Sequence, residues 1–246
     1  VVLRKDVPLP QHVTKVFVDD TRLAMALMSR IFYGHPAQNI PIIGVTGTNG
    51  KTTVTYLIKS ILEETGKKVG LIGTIANMIG PKMLPAERTT PESMDLQRLF
   101  KDMQDEGVDA IVMEVSSHSL SLKRVAGVEF EVGVFTNLTQ DHLDFHRTLE
   151  EYRQAKAKLF SQSRQAAINI DDETGRMFAK AVRGRLWTYG ISRNAQVFAR
   201  DMEITSRGVS FQLFLPNEST TVSLNIPGLF SVYNALAAAT ACHALN

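Results

Sequence analysis

The residues with the clearest chemical potential form one glycine-rich stretch, which reads G-T-N-G-K-T-T from Gly47 to Thr53. An apolar run at 40–45 precedes the stretch and a helical pattern follows from Lys51, so the glycines are expected between a buried strand and a helix. In that setting, backbone N–H groups and a helix N-terminus bind phosphate oxygens, and Lys51 adds a positive charge. Thr52 could ligate Mg²⁺. The sequence therefore predicts a nucleotide-binding phosphate loop.

This loop departs from the general pattern G-x-x-x-x-G-K-[ST] at one position, where the chain has Val45 instead of glycine. The match is therefore to a variant of that pattern. A glycine-rich turn that binds nothing is the alternative, and G-K-T-T at a strand-to-helix transition argues against it. The loop residues assigned to nucleotide binding are Gly47, Thr48, Asn49, Gly50, Lys51, Thr52 and Thr53.

A second candidate residue is Glu114, which follows the apolar run 110–113. If this run is a buried parallel strand, Glu114 lies at its carboxyl end, where open α/β sheets bind ligands. A carboxylate there is costly unless it is paired or bound to a metal, and Mg²⁺ is its natural partner beside a phosphate loop. The alternative is an exposed residue at the end of a strand. Ser116, His118 and Arg124 follow near the same edge.

Polar residues also fill the stretch F-T-N-L-T-Q-D-H-L-D-F-H, from Phe135 to His146. His142, with Asp141 or Asp144, could contact a metal ion after the end of a further strand. A single histidine is more often structural than a ligand. Two histidines and two aspartates so close together favour the metal interpretation instead.

A later helical stretch, Y-R-Q-A-K-A-K-L-F, carries a lysine beside its apolar face. Lys156 lies near the edge that Tyr152 and Leu159 form, whereas Lys158 points outward. From the pattern alone, a surface lysine with a packed stem and a solvated charge explains Lys156 equally well.

The stretch R-T-T-P-E-S at 88–93 is predicted to be a loop that leads into a helix. Thr90 precedes a proline, which biases its backbone toward extended geometry. On its own, the stretch is best explained by capping of that helix by Ser93 or by a threonine.

Strand and helix patterns alternate from residue 40, which predicts an α/β fold with a mostly parallel sheet covered by helices. Strands are expected at 41–46, 69–73, 109–114, 132–136, 166–169 and 186–189, and helices at 51–65, 93–106, about 117–123, 148–162 and 173–183. Strands at 196–205, 208–215 and 220–225 predict a small additional antiparallel three-stranded segment before a helix from about Val232.

Residues 1–39, with a strand at 16–18 and a helix after Asp20, are expected to end a preceding domain. Because the chain lacks an initiating Met and stops inside an apparent helix, we expect a piece of a longer protein.

Composition and charge argue against several other classes of protein. The chain has 246 residues, 44% of them hydrophobic and 21% charged, which is ordinary for a globular protein with a sizeable core. A net charge of +2, without basic blocks, gives no reason to expect a nucleic-acid partner. One cysteine, no apolar run of membrane-spanning length and no secretory signal predict a cytoplasmic protein without membrane insertion.

Taken in order, these stretches resemble the Mur ligases, and in particular their MurE type. The resemblance is carried by five motifs across nearly the whole chain: G-V-T-G-T-N-G-K-T-T, T-T-P-E-S, E-V-S-S-H-S-L-x-x-x-R, F-T-N-L-T-Q-D-H-L-D-F-H and Y-R-Q-A-K-A-K-L-F. It implies an ATP-dependent ligase of peptidoglycan synthesis that phosphorylates the terminal carboxylate of UDP-MurNAc-L-Ala-D-Glu. A diamino acid, meso-diaminopimelate or L-lysine, then attacks the acyl phosphate.

The resemblance also implies roles for particular residues. Thr52 and Glu114 would bind Mg²⁺, His142 would bind a second metal ion, and Lys51 would contact phosphate. Lys156 would be carbamylated and would support a metal. The UDP-muramoyl dipeptide would be held by Thr89, Thr90, Ser116 and Arg124. In G-L-F-S-V-Y-N, Asn234 would lie near the adenine, and Ser231 stands where the family often has asparagine.

Family members have three domains, so the resemblance implies that 1–39 is the end of the UDP-binding domain and 40–246 the central ATP-binding domain. The amino-acid-binding domain would be absent from the sequence. We expect the chain to be a monomer, to bind Mg²⁺–ATP weakly and to form no tripeptide on its own.

Three other classes of protein share some of these features. Folylpolyglutamate and cyanophycin synthetases share G-T-N-G-K-T, but they are not expected to carry both T-T-P and E-V-S-S-H-x-L-x-x-x-R. A non-catalytic nucleotide-binding module is disfavoured because Lys51, Glu114 and Lys156 are all present. A phosphate-loop kinase or GTPase is disfavoured by Val45 and by the lack of a base-specificity motif.

Overall fold

The computed structural model describes residues 1–139, 146, 148–192 and 194–245. Its elements, in chain order, are β1 (Val2–Leu3), β2 (Val16–Phe17), α1 (Thr21–Phe32), β3 (Ile42–Thr46), α2 (Lys51–Glu64), β4 (Val69–Ile72), β5 (Asn77–Ile79), β6 (Lys82–Leu84), α3 (Ser93–Asp105), β7 (Ala110–Glu114), α4 (Ser117–Ser121), β8 (Phe130–Phe135), α5 (Leu149–Ser161), β9 (Ser163–Asn169), α6 (Glu173–Ala181), β10 (Arg185–Gly190), β11 (Val197–Ile204), β12 (Val209–Phe214), β13 (Ser219–Leu224) and α7 (Leu229–Leu245). No helix in these ranges is long and apolar enough to cross a membrane.

Eleven of the described strands form one sheet, in the order β13-β12-β11-β10-β9-β8-β3-β7-β4-β5-β6. All pairs from β11 across to β4 are parallel, and both edges end in antiparallel strands. The predicted α/β fold with a mostly parallel sheet is confirmed. The three predicted antiparallel strands are also present, and they extend the main sheet because Tyr189 of β10 pairs with Val197 of β11.

Two layers of apolar side chains hold the central strands between the helices. Successive residues of β3 point to opposite faces, so Ile43 and Val45 pack with α2 and α7 while Ile42 packs with α3. All three side chains are at most 1% exposed. Burial of each such side chain stabilises the fold by about 1.5–3 kcal/mol. This packing fixes where β3 ends and where the glycine-rich loop begins.

Helix α1 precedes the sheet, and its N-terminus is capped by Asp20. The carboxylate accepts hydrogen bonds from the backbone N–H groups of Arg22 and Leu23, both at 2.9 Å, and from the ammonium of Lys123. The contact with Lys123 also links α1 to the turn after α4. The bond from Lys123, followed by the one from Leu23, lowers the pKa of Asp20 from 3.8 to about 2.

We expect acid to weaken this cap before it unfolds the sheet. Because the pKa of Asp20 is lower in the folded state, its stabilisation of α1 is complete above about pH 4 and is lost as the pH falls through about 2. Hydrogen exchange of the α1 amides, corrected for intrinsic rates, would measure the loss. Asp20→Asn keeps a capping oxygen without the charge, so its α1 protection should not change over this range. Equal acid sensitivity of the two proteins would contradict the expectation.

Candidate functional site

The carboxyl ends of β3 and β7 open into one cleft of about 590 Å³. This volume suits a small-molecule ligand. The cleft brings together residues from five separate stretches of sequence, including most of the predicted site residues. Its lining comprises Thr48, Asn49, Gly50, Lys51, Thr52, Thr53, Thr74, Arg88, Thr89, Thr90, Glu114, Ser116, Ser117, His118, Arg124, Tyr152 and Lys156.

The predicted phosphate loop lies between β3 and α2, and two of its glycines are required by close contacts. Gly47 has φ +151°, and a Cβ there would lie 1.9 Å from Thr136 Oγ1. Gly50 has φ +88°, and a Cβ there would lie 2.4 Å from Asn234 Oδ1. Since Gly50 is the N-cap of α2, the loop leads directly into the positive end of the helix. This geometry suits an anion.

The loop is held in place by the segment that follows β8. Thr48 N donates to the carbonyl of Asn137 at 2.8 Å, and Asn49 N donates to the Asn137 side chain at 3.0 Å. Across the loop, Lys51 Nζ donates to the carbonyls of Gly47 at 3.0 Å and Thr48 at 2.8 Å. The Lys51 ammonium therefore lies over the loop, where it could contact a bound phosphate group. Asn137 was not among the predicted site residues, because its contacts with the loop span about ninety residues of sequence.

Glu114 is 1% exposed, so the alternative of an exposed strand-end residue is wrong. Its carboxylate accepts hydrogen bonds from Thr52 Oγ1 at 3.0 Å, from Thr74 N at 2.8 Å and from Thr74 Oγ1 at 3.1 Å. All of these donors are neutral, and no described cationic side chain forms an ion pair with Glu114. Gly73 leaves the room for this carboxylate, since a Cβ there would lie 2.6 Å from Glu114 Oε1. A buried carboxylate without a cationic partner is costly, and a divalent cation would offset that cost.

The side-chain oxygens of Thr52 and Glu114 are hard donors, which suit Mg²⁺ better than a softer metal. Within the described ranges, no cluster of three or more His, Cys, Asp and Glu side chains is placed to hold a metal ion. Mg²⁺ usually keeps several waters and shares its remaining positions with substrate phosphates. The two oxygen donors next to the predicted phosphate loop are compatible with such a site.

Lys156 is 1% exposed, which rules out the alternative of a surface lysine with a solvated charge. Its Nζ donates to the carbonyl of Gly47 at 2.8 Å and lies 4.3 Å from the centroid of the Tyr152 ring. The Tyr152 hydroxyl in turn lies 3.2 Å from Thr48 Oγ1. Lys158, two residues further along α5, is exposed, as predicted. Helical spacing predicted the burial of Tyr152 but not the contact of its hydroxyl with the loop.

The residues predicted to hold the second substrate form a connected group at the rim of the cleft. Thr90 Oγ1 donates to the carbonyl of Glu114 at 2.9 Å and accepts from Ser116 N at 3.2 Å. Arg124 is fixed by an ion pair with Glu92 at 2.8 Å. Thr89 Oγ1 lies 3.0 Å from Thr74 Oγ1, so all four predicted rim residues lie in one place.

The capping explanation for the T-T-P-E-S stretch is wrong. The N-cap of α3 is Glu92, and its side chain makes no capping hydrogen bond. Ser93 lies inside the helix rather than before it. Thr89 and Thr90 instead form the contacts at the rim of the cleft.

Asn234 lies outside this cleft, in a neighbouring cavity of about 430 Å³ on the other side of the phosphate loop. It is 6% exposed, and its amide makes no hydrogen bond with the described part of the chain. Ser231 is also buried, but its hydroxyl donates to the Pro227 carbonyl and does not line the cavity. The cavity is lined by Asn49, Gly50, Thr53, Thr136, Asn137, Asn169, Asp171, Asp172, Tyr189, Phe230, Tyr233 and Asn234.

Comparison with known proteins gives the family of this domain. Residues 45–242 match the family model described as the Mur ligase middle domain. The chain belongs to this family. A similar protein is UDP-N-acetylmuramoyl-L-alanyl-D-glutamate–2,6-diaminopimelate ligase of Clostridium botulinum, which is 52% identical over 238 residues. The match covers 97% of this chain and 49% of the relative. The chain spans about half the length of the curated relatives that it matches.

Solved structures agree with the fold of this Mur ligase middle domain. A structure titled as a UDP-N-acetylmuramoyl-L-alanyl-D-glutamate–2,6-diaminopimelate ligase matches with a TM-score of 0.85 at 30% identity, over 96% of this chain and 50% of that chain. Folylpolyglutamate synthase from Mycobacterium tuberculosis matches with a TM-score of 0.74 at 17% identity, over 91% of this chain and 59% of that chain. The second likeness shows a shared fold alone, so fold does not distinguish the two substrate classes.

One predicted metal ligand of this Mur ligase domain, His142, lies outside the described residues together with Asp141 and Asp144. Its role stays a prediction. His146, from the same motif, is 4% exposed, and its ring centroid lies 5.1 Å from that of Tyr152. His146 therefore packs against Tyr152, on the side of the cleft that Lys156 lines.

Proposed function

We propose that this chain is the ATP-binding part of a Mur ligase that adds a diamino acid to UDP-MurNAc-L-Ala-D-Glu in peptidoglycan synthesis. The observation that carries the proposal is the position of the phosphate loop between two cavities. Glu114 and Lys156 lie on one side of the loop, and Asn234 lies on the other. A nucleoside and a carboxylate substrate could thus approach the same phosphates from opposite sides. The names of the relatives favour diaminopimelate over L-lysine as the incoming amine.

ATP would be held with its phosphates on Gly47 to Thr53 and its base in the cavity of Asn234. The Asn234 amide supports this arrangement, because it lines the cavity, hydrogen-bonds no described residue and could pair with a purine edge. Lys51 would exchange its loop carbonyl contacts for phosphate oxygens.

Mg²⁺ would be held by Thr52 and Glu114, with His142 proposed as ligand of a second ion. When bound, such ions neutralise negative charge between the nucleotide and the carboxylate substrate. The loop, its helix N-terminus and Lys51 contribute to the same neutralisation. Both substrates are anions, so the chain must overcome their repulsion before the phosphoryl group can be transferred.

Lys156 is proposed to carry a carbamate, and its contact with Gly47 is compatible with that modification. A lysine carbamate keeps one N–H, which can still donate to the Gly47 carbonyl 2.8 Å away. Its two new oxygens are ligands of the type that Mg²⁺ prefers. The modified side chain would then support the second metal ion rather than repel it.

The peptide end of UDP-MurNAc-L-Ala-D-Glu would bind at the rim formed by Thr89, Thr90, Ser116 and Arg124. There its terminal carboxylate would face the γ-phosphate on the loop and attack its phosphorus, and ADP would leave. The resulting acyl phosphate would be attacked by the amine, with release of phosphate. Within this chain, the rim positions the carboxylate and the loop stabilises charge on the phosphoryl oxygens.

We further propose that 1–39 ends a UDP-binding domain, that 40–246 is the central domain, and that the ligase acts as a monomer in the cytoplasm. The single cysteine, Cys242, is buried and free, in agreement with a reducing compartment.

Calorimetric titration of the chain with Mg²⁺–ATP would test the proposed function. We expect binding by the unaltered chain and a loss of affinity of at least about tenfold in Lys51→Ala, since a charge-assisted hydrogen bond to phosphate is removed. Lys67→Ala is the matched control, because Lys67 is exposed just beyond α2. ATP affinity that is the same in all three proteins would overturn the assignment of the loop.

A further inference from the structure

The proposed nucleoside cavity contains a polar pair that the roles above do not use. The Tyr233 hydroxyl donates to Asp171 Oδ2 at 3.0 Å, and Ile191 N donates to the same oxygen at 2.7 Å. The other oxygen, Asp171 Oδ1, accepts no hydrogen bond from any residue that the structure describes. Both Asp171 and Tyr233 line the cavity together with Asn234. The carboxylate in this cavity wall therefore keeps one oxygen that no described residue uses.

The position of this carboxylate is fixed from several sides. Asp171 N donates to the Asn169 side chain at 3.1 Å, and Arg176 donates to the Asp171 carbonyl at 3.1 Å. The carboxylate packs directly over Gly190, where an added Cβ would lie 2.7 Å from Oδ2 and 2.9 Å from Oδ1. A glycine at 190 is therefore needed to leave space for the acid. An acceptor held in this way cannot easily turn to suit a different ligand.

Tyr233 reinforces the acceptor character of this wall. Burial, followed by the hydrogen bond to Asp171, raises the pKa of Tyr233 to about 12. The phenol therefore keeps its proton at neutral pH and donates it to Asp171. Its oxygen can still accept a hydrogen bond but has no second proton to offer. The pair as a whole offers acceptors to a ligand and no donor.

Asn234 has the opposite property, because a side-chain amide contains both a donor and an acceptor. By turning over, it can pair with a 6-amino purine or with a 6-oxo purine. Asn234 alone therefore cannot select one base over the other. An ionised carboxylate can only accept, so it favours an amino group and disfavours a carbonyl oxygen at the same place.

We propose that Asp171, positioned by Tyr233, selects the 6-amino group of adenine and disfavours 6-oxo purines at this site. This inference rests on the proposed function, because it assumes that the cavity holds the nucleoside of a triphosphate bound to the loop. It assigns base selectivity to residues that are 62 positions apart in sequence and joined by one hydrogen bond.

The test compares Mg²⁺–ATP with Mg²⁺–ITP by calorimetry on the whole chain, since these nucleotides differ in the six-position group and in protonation of the adjacent ring nitrogen. The unaltered chain is expected to prefer ATP by about tenfold, the size of one selective hydrogen bond. In Asp171→Asn the amide oxygen can keep the bonds from Tyr233 and Ile191, while its NH₂ takes the place of Oδ1. Because a donor now faces the base, the preference for ATP should disappear or reverse.

Tyr233→Phe provides a second variant with a smaller expected change, because it removes one bond that orients Asp171 and leaves the charge. It should lower the preference for ATP about threefold, and it decides the question if Asp171→Asn does not fold. Asp102→Asn is the matched control, since Asp102 is exposed on α3 far along the sequence from the cavity. Thermal unfolding of each variant checks that the fold is retained.

The possible results separate this inference from the proposed function. If the unaltered chain binds neither nucleotide, the proposed function fails and the inference fails with it. If it binds ATP but prefers ITP, or if the variants weaken both nucleotides equally, only the inference is overturned. Equal weakening would make Asp171 and Tyr233 structural supports of the cavity rather than its selective residues.

Discussion

Glu114→Gln in the proposed full-length ligase is expected to lower turnover at least about a hundredfold. The free energy of unfolding should change by no more than about 1 kcal/mol. Glutamine has nearly the same volume, and its oxygen can keep the bonds from Thr52 Oγ1 and Thr74 N. Its NH₂ group would replace the oxygen that Thr74 Oγ1 now contacts, and that hydroxyl can accept instead of donating. The substitution therefore removes the charge and leaves the packing.

Steady-state turnover at saturating ATP, measured over a range of Mg²⁺ concentrations, would check this expectation. Extra Mg²⁺ should recover little activity, because the negative ligand itself is missing. Glu64→Gln is the control, since Glu64 is exposed at the end of α2. Near-normal turnover of Glu114→Gln at ordinary Mg²⁺ would leave Glu114 as a buried structural acceptor for Thr52 and Thr74.

The sequence predicted the central strands and helices well because each of them has a strong local signal. The strand before the predicted phosphate loop is apolar up to its last residue, Thr46, the loop has two glycines that contacts require, and α2 follows at once. The hairpin of β5 and β6 was not predicted. Each strand has only three residues, too few to show an alternating pattern, and the hairpin is completed by pairing with β4. The parallel pairing of β10 with β11, which the sequence pattern does not show, makes the last three strands an extension of the main sheet.

For the site, residue type and position at strand ends predicted which residues lie close together. They did not predict the hydrogen bonds that hold these residues in place. Glu114 was predicted as a ligand, whereas its donor Thr74 lies after a different strand and 40 positions away. Tyr152 was predicted to be buried, and its hydroxyl contact with Thr48 spans 104 positions. Such hydrogen bonds depend on tertiary packing, which a local pattern does not encode. The same holds for the pair of Asp171 and Tyr233.

Lys156→Ala is expected to reduce the activity of the proposed full-length ligase about a hundredfold, because the proposed support of a bound metal is lost. Acetate or another small carboxylate should restore part of this loss by supplying the missing anion. The loop itself should stay folded, because Thr48 N and Asn49 N still donate to Asn137. Lys158→Ala is the matched control on the exposed side of the same helix and should retain normal activity.

Lys156→Arg separates the two possible roles of this side chain. Arginine keeps a cation that can donate to the Gly47 carbonyl, as Lys156 does at 2.8 Å, but it cannot form a carbamate. Burial and neighbouring cations favour the neutral amine that reacts with carbon dioxide, so the carbamate hypothesis predicts an inactive arginine variant that acetate cannot fully rescue. A carbamate carbon should also appear in the NMR spectrum of the unaltered protein supplied with ¹³C-bicarbonate and should be absent in Lys156→Ala. Normal activity of Lys156→Arg would show that the reaction needs the cation and its bond to Gly47 rather than a carbamate. A larger loss of activity in Lys158→Ala than in Lys156→Ala would show that the modified lysine was wrongly assigned.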